Sequence, residues 1–384
     1  MKIRLKKPNM MLGLMVFFSM SPFVLPVPGM GTDLQPYALL LSLFVLFLYY
    51  GYMGNALGSN IGFLLLMLPV AMALIFVIAA GFSFGAFRGA YNHLSILFVL
   101  MAWFVLLTRY GFPEEQIKMV LWLWFFVATV QFLFDRSFLA SIISGDREAA
   151  FGRGVVGLCS EASFFGISCF YFLHLANKFT KKKVLYLLLI TMMAVLYAQS
   201  MQGVLFVLVF YVGFALESVK KKRGIFIVIG IVVGCILSFI IVQKVAPESR
   251  LVELLESFRD EGVSGTIDGD ASATTRMNSI QDALKEAFGN FLIPQGFARR
   301  IGSGFGGLLV ELGVFGLLET LVIAYYFSLH FKRLYTRVIY FLLIYFIMFS
   351  NTQMGNPQML FALATNLYFS RQERSNENAV TIAR

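Results

Sequence analysis

Residues 61–80 read IGFLLLMLPVAMALIFVIAA, twenty positions without a single charged side chain. A hydrocarbon layer about 30 Å thick takes about 20 apolar residues of helix to cross. In lipid, every backbone N–H and C=O has to be satisfied within the segment, so helix is the expected conformation. The fold class then depends on how often such a stretch recurs. Candidate spans fall at 10–28, 37–53, 61–80, 91–108, 118–134, 160–176, 184–199, 202–217, 224–243, 306–329, 338–350 and 357–370, the last two being short. Inside 184–217 the run Gln199-Ser200-Met201-Gln202-Gly203 splits one long apolar segment into two, because two glutamines are poorly placed at mid-bilayer. The expected fold is all-α, a polytopic integral membrane bundle of about twelve transmembrane helices.

Composition agrees. Of 384 residues, 59% are hydrophobic, and the 14% that are charged fall well below the roughly 25% usual in soluble domains. The mean hydropathy is +0.78. Apolar segments recur from end to end, which favours one integral bundle over several soluble domains. Met1–Lys7 is basic and an apolar run begins at Met10, as in a signal peptide. No small-residue cleavage site follows, so the segment is expected to be the first anchor. The three cysteines, Cys159, Cys169 and Cys235, fit neither a disulfide framework nor a metal site and are expected to pack as small apolar residues.

The net charge of +10 would suggest nucleic-acid binding in a soluble protein. In a membrane protein it reflects the excess of Lys and Arg in cytoplasmic loops, and no nucleic-acid partner is expected. With the N-terminus inside, 20 of the 31 basic residues fall on inner segments. They include Lys181-Lys182-Lys183 and Lys220-Lys221-Lys222-Arg223 in short loops, where the bias is strongest. Both termini are then cytoplasmic. The chain divides into helices one to nine over 1–243, with a basic outer loop at 135–159. A long outer loop follows over 244–305, then helices ten to twelve over 306–370. The polar tail at 371–384 is expected to be disordered.

The two large outer segments hold the residues of chemical interest. Arg147, Arg153, Arg276, Arg299 and Arg300 run against the charge bias of outer loops. Arginine offers a planar fork suited to phosphate or carboxylate oxygens. These five either bind an anion such as a pyrophosphate or pair with Glu148, Glu161, Asp282 or lipid headgroups. Glu161 stands at the mouth of an apolar helix, as a general base, as an orienter of a catalytic arginine, or as a helix cap. Asp268-Gly269-Asp270 is a possible metal pair, but its Ser-, Thr- and Gly-rich surroundings read as a flexible turn; neither a metal nor a cofactor is expected. Arg276 to Phe288 reads as an amphipathic helix with Met277, Ile280, Ala283, Leu284 and Phe288 on one face. Asn351, Gln353, Asn356 and Gln358 could equally bind a sugar or cap helices. His93, His174 and His330 carry no pattern of their own, and none lies in the long loop. Glu311 and Glu319 are the main exceptions to a general placement of charge at span ends.

The stretch Gly157-Leu158-Cys159-Ser160-Glu161-Ala162-Ser163-Phe164-Phe165-Gly166, entered from a basic glycine-containing loop, resembles the G-L-x-x-E-P-S-F-x-G stretch of Wzy-type O-antigen and exopolysaccharide polymerases. Ala162 stands where that family usually has proline. The long loop resembles theirs too. Ser272-Ala273-Thr274-Thr275-Arg276 precedes a helix, Pro294-Gln295-Gly296-Phe297 follows, and Gly307–Gly316 leads into a span. The resemblance covers nearly the whole chain. It implies a GT-C-type glycosyltransferase in the bacterial inner membrane with its active site facing the periplasm. Such an enzyme joins undecaprenyl-pyrophosphate-linked oligosaccharide repeat units by inverting, metal-independent transfer. Donor and acceptor would both be lipid-linked, and a chain-length regulator would be a further partner. The residues carried over are Glu161, Arg153 and Arg276 as catalytic groups, with Arg147, Arg299 and Arg300 binding substrate. O-antigen ligases of the same superfamily resemble this architecture but carry a histidine in the long outer loop, and 244–305 has none. A transporter or flippase for the lipid-linked sugar would place ionisable residues mid-span. No internal repeat of the transporter kind is evident.

Overall fold

A computed structural model describes residues 10–27, 34–52, 54, 60–143, 154–218, 271–297, 302–350 and 352–382, with scattered positions between 230 and 262. Among the described residues the regular structure is helical, and the one extended pairing is an isolated antiparallel bridge between Val24 and Ile143. In chain order the helices are α1 (Met10–Met20), α2 (Tyr37–Leu48), α3 (Ile61–Ala79), α4 (Phe84–Tyr110), α5 (Glu114–Leu133), α6 (Ala162–Ala176) and α7 (Lys183–Met192). They continue with α8 (Met201–Ser218), α9 (Ala271–Gly289), α10 (Gly304–Leu312), α11 (Val314–Ser328), α12 (Leu334–Ile347) and α13 (Pro357–Ile382). Most of the expected span 224–243, Cys235 included, lies outside the described residues.

Four of these helices, α3, α4, α5 and α8, are long and apolar enough to cross a membrane by length and composition. Their neighbours α1, α2, α6, α7, α11 and α12 are apolar and shorter. Outward faces are apolar as well: Leu40, Phe44 and Phe47 on α2, Ile75 and Ile78 on α3, Phe126 on α5, and Leu342 and Phe346 on α12 are exposed. A water-facing bundle would carry polar residues there. Hydroxyls inside the helices turn back on their own backbone. Ser42, Thr108, Thr129 and Thr191 each donate to the carbonyl four residues earlier, at 2.6–2.8 Å. No solvating water is needed for them.

The centre of the bundle is α4. Of its most apolar stretch 78% is buried, against 39%, 39% and 44% for α3, α5 and α8. It packs on α2, α3 and α13, and Trp103 stacks on Phe361 of α13 with centroids 3.7 Å apart. Two buried indoles are satisfied from α1 and the turn after it: Trp103 Nε1 donates to Ser19 Oγ and Trp124 Nε1 to Ser21 Oγ. Helices α6 and α8 meet backbone to backbone, because a Cβ on Gly203 would stand 2.5 Å from the Cα of Gly166. Glycines at both positions permit that approach.

The expected organisation needs three adjustments. Helix α1 stops at Met20, eight residues short of the expected end, and the chain runs on irregularly through buried Phe23 and Val24. Irregular backbone survives there because Leu25 N donates to Ile142 O and Gln35 N to Pro22 O. The span expected at 306–329 is two helices, broken at Gly313, whose φ of +56° only glycine adopts without strain. Val314 N donates to Leu292 O at 2.9 Å, so the break is used to dock the preceding loop. The split at Gln199–Gly203 is present, and α7 ends in a wide π turn, Met193–Tyr197, before it. The tail expected to be disordered instead continues α13 to Ile382. A helix already nucleated in the apolar bundle extends at little further cost. Gln372 donates to Tyr368 OH, and Glu373 pairs with Lys332 at 2.8 Å.

Candidate functional site

Residues 154–161, which lead into α6, are held by the side-chain amide of Gln131 and by a backbone bond to Tyr197. Gly157 has φ +60°, and Gln131 of α5 takes both sides of its peptide. Gly157 N donates to Gln131 Oε1 at 2.8 Å, while Gln131 Nε2 donates to Gly157 O and Phe138 O, each at 3.0 Å. Val155 N donates to Tyr197 O at 2.8 Å. Gly154 lies against the Ala198 carbonyl, where a Cβ would collide. Cys159 and Cys169 are buried free thiols, packed as expected. Glu161 holds the N-cap position of α6 in extended conformation, half-buried, but its carboxylate does not cap the helix backbone. One carboxylate oxygen accepts from Ser163 Oγ at 3.1 Å.

The turn from Thr352 to Gln358 joins α6 and the end of α1 to α4. Gln358 is fully buried; its amide nitrogen donates to Met20 O at 2.7 Å and its oxygen accepts from Ser168 Oγ at 2.6 Å. Asn356 accepts from Gln358 N and so caps α13. Both are used internally, which favours the capping alternative for these two residues. Gly355, with φ +73°, packs on the backbone of Asn92.

Beside Asn92 lies the cluster that the sequence pattern did not single out. His93, in the third turn of α4, is completely buried between two carboxylates. Its Nδ1 is 2.7 Å from Glu319 Oε2 on α11, and its Nε2 is 3.4 Å from Glu311 Oε2 on α10. Glu319 Oε1 has no hydrogen-bond partner among the described residues. On a straight helix, positions 311 and 319 would be separated by about 12 Å along the axis and could not share one imidazole. The break at Gly313 redirects the chain and makes the shared contact possible. Gln295 N and Gly296 N donate to the carbonyls of Val310 and Glu311, and Phe297 stacks on the imidazole with centroids 5.9 Å apart. A ring nitrogen donates only when it carries a proton, so an imidazole between two carboxylates holds a proton that either acid can share.

Of the arginines, Arg276 is described. It is half-buried near the start of α9, whose inner face packs on α10. That face is Ile280, Ala283, Leu284 and Ala287, whereas Met277 and Phe288 are exposed. The amphipathic helix exists, but its buried stripe is rotated from the expected one. Arg147, Arg153, Arg299 and Arg300 lie outside the described residues, as do Asp268 and Asp270. The described site therefore has α6, which Glu161 precedes, on one side of the Thr352–Gln358 turn and the His93 cluster beyond it, while α9, which carries Arg276, packs on the Glu311 helix.

The opposite end of the bundle holds the remaining histidines in a different setting. His174 Nε2 is 2.8 Å from Tyr340 OH and its Nδ1 is 3.2 Å from Asn366 Nδ2. Asn366 Oδ1 is 2.9 Å from His330 Nδ1, and Asn177 Nδ2 lies 2.6 Å from His330 Nε2. Burial, reinforced by the Lys178 ammonium nearby, holds the His330 imidazole well below the ordinary histidine range. Acids at this end tie down loops: Glu114 accepts from Thr180 N, Thr180 Oγ1 and Lys181 N and pairs with Lys118 at 2.7 Å. Arg109 sits over the rings of Tyr49, Tyr52 and Tyr110, 4.5–5.6 Å from their centroids.

A signal for His93 was present in the sequence as the two mid-span carboxylates, Glu311 and Glu319. Buried acids in apolar helices demand a partner. No protein-family model, curated protein or solved structure matches the chain.

Proposed function

We propose that this protein is a membrane-embedded polysaccharide polymerase with about twelve spans, both termini in the cytoplasm and a GT-C-type architecture. It joins undecaprenyl-pyrophosphate-linked repeat units at the periplasmic face. The observation that carries the reading is the burial of His93, Glu311 and Glu319 together at the bundle end that presents the Gly157–Gly166 motif. Ionisable groups in apolar helices are costly and mark sites of function. Glycosyl transfer needs two things of such a site. A hydroxyl of the acceptor sugar attacks the anomeric carbon and gives up its proton. The bond to the pyrophosphate breaks, and the leaving group takes the electron pair. Glu161, or the carboxylates around His93, receive the proton. Arg276, with Arg147, Arg153, Arg299 and Arg300, neutralises the departing pyrophosphate, and such preorganised charge supplies most of the rate.

The experiment mixes purified protein in detergent with a lipid-linked repeat unit and separates the products on a gel. A ladder rising by one repeat, with release of undecaprenyl pyrophosphate, is expected. Transfer of preformed polymer to a lipid A core acceptor would make it a ligase. One observation favours a transporter for the lipid-linked sugar as a second reading: the buried charges sit at a broken helix, a feature of transport sites. Movement of the lipid across vesicles, with no ladder, would establish that alternative.

A further inference from the structure

At the Lys- and Arg-rich end, the start of α3, the end of α11 and the middle of α13 meet against α4. They leave a cleft of about 100 Å³. Its polar lining consists of donors. Asn60 Oδ1 already accepts from Gly62 N at 3.0 Å and from Tyr326 OH at 3.1 Å, so its amide nitrogen remains to donate. The hydroxyls of Tyr325 and Ser370 and the guanidinium of Arg374 line the same space, and none has a hydrogen-bond partner among the described residues. Arg371 adds a second guanidinium, set 5.7 Å from the Phe104 centroid. No acidic side chain is among the lining residues. Glu373, between the two arginines in sequence, is drawn off to Lys332 at 2.8 Å. Asn60 is also the N-cap of α3, so the positive end of that helix dipole opens here.

Two guanidinium groups, three neutral donors, a helix N-terminus and no acid make a receptor for an oxyanion. The remaining walls, Leu329, Leu367 and Phe104, are apolar. From Asn60 an exposed stripe of Ile61, Leu64 and Leu68 runs along α3 at helical spacing, a surface on which an acyl chain can lie. We propose that this cleft binds the phosphate of an anionic phospholipid headgroup from the leaflet at the basic end. The arginines contact the phosphate and the α3 stripe carries a chain. The inference needs the bundle to lie in a membrane and is independent of the glycosyl-transfer reading. A free phosphate would use the same donors without the stripe.

The test measures binding to the purified full-length protein in detergent micelles, by native mass spectrometry and by thermal stabilisation. The probes are phosphatidylglycerol, phosphatidylethanolamine and inorganic phosphate. Phosphatidylglycerol is expected to bind in preference to phosphatidylethanolamine, whose ammonium meets the two arginines unfavourably. Arg371→Gln and Arg374→Gln are each expected to weaken binding about fivefold, as loss of one surface cation near anionic lipid does. Both side chains are exposed, so neither change threatens the fold. Lys181→Gln removes the same single charge from the same end and is expected to leave binding within twofold. Equal weakening in that control, or no preference between the two lipids, overturns the proposal in favour of diffuse surface charge. Inorganic phosphate matching phosphatidylglycerol at equal concentration overturns the lipid assignment and leaves an oxyanion site.

Discussion

Two histidine clusters occupy opposite ends of one bundle, and their partners set them apart. His93 is enclosed by two carboxylates, one of which has an oxygen without a partner. His174 and His330 are enclosed by amides and a phenol, each ring nitrogen facing a neutral group. The first arrangement sets a proton-carrying ring between two acids. The second is a neutral lattice that ties α6, α12 and α13 to the turn after α11. A buried imidazole therefore says little by itself; the chemistry of its partners decides whether it holds a fold together or stands ready to react.

The comparison is open to direct attack. His93→Ala and His174→Ala delete the same side chain at fully buried sites, so the cavity contributions largely cancel. Removing the imidazole between two buried acids is expected to cost about 3–5 kcal/mol. Leaving neutral polar groups unpaired is expected to cost about 1–3 kcal/mol. Equal losses in denaturant unfolding would erase the distinction. A subtler change, Glu319→Gln, keeps shape and removes charge; polymer formation should fall roughly a hundredfold in a protein that still unfolds cooperatively, whereas Asn366→Asp at the other end should leave chemistry intact. Full activity in Glu319→Gln would take the outer cluster out of the mechanism.

Gly313→Ala tests how the outer cluster is assembled. The residue has φ +56°, and a Cβ there would strike the Leu292 carbonyl. A destabilisation of about 1–3 kcal/mol is expected, together with lower activity, because the break brings both carboxylates to His93. A silent substitution would show that the cluster does not depend on the turn. The smallest effect concerns His330. Its folded form is held neutral well below the unfolded value of 6.5. Below that pH the unfolded chain binds a proton that the folded chain refuses, so stability falls as pH falls, by up to about 1.4 kcal/mol per unit. His330→Asn should make the pH 7 to 5 slope of unfolding stability shallower by about that amount. An unchanged slope would mean that His330 is not held neutral.

Much of the helical scaffold was legible in the chain. Long uncharged runs predict α3, α4, α5 and α8 because lipid admits little else. Two glutamines marked the split before α8, and Cys159 and Cys169 packed as small apolar residues. Features set by distant partners were not legible. Nothing near Gly313 announces that its carbonyl neighbour will be Leu292, and nothing near His93 announces acids 218 and 226 residues away. The helical tail was hidden for a similar reason: its composition is polar, but it inherits a helix already started in the core. Of the candidate site, Glu161 and Arg276 are placed on α6 and α9, while the outer arginines at 147, 153, 299 and 300 fall outside the described residues.

Gln131 has a consequence for how such a machine tolerates its surroundings. Its primary amide grips the Gly157 peptide with one donor and one acceptor, as a neighbouring strand would. An amide has no titration in the biological range, so the grip is the same in acid and in alkali. On the proposed topology this loop faces the periplasm, whose pH follows the environment, and carboxylates exposed to it change state with every shift. A loop pinned by an amide keeps its shape while acids around it gain and lose protons. Gln131→Glu would trade that indifference for dependence on the medium, since a carboxylate at the same place has no proton to give, and a protonated carboxyl has one, enough for Gly157 O or Phe138 O but not for both.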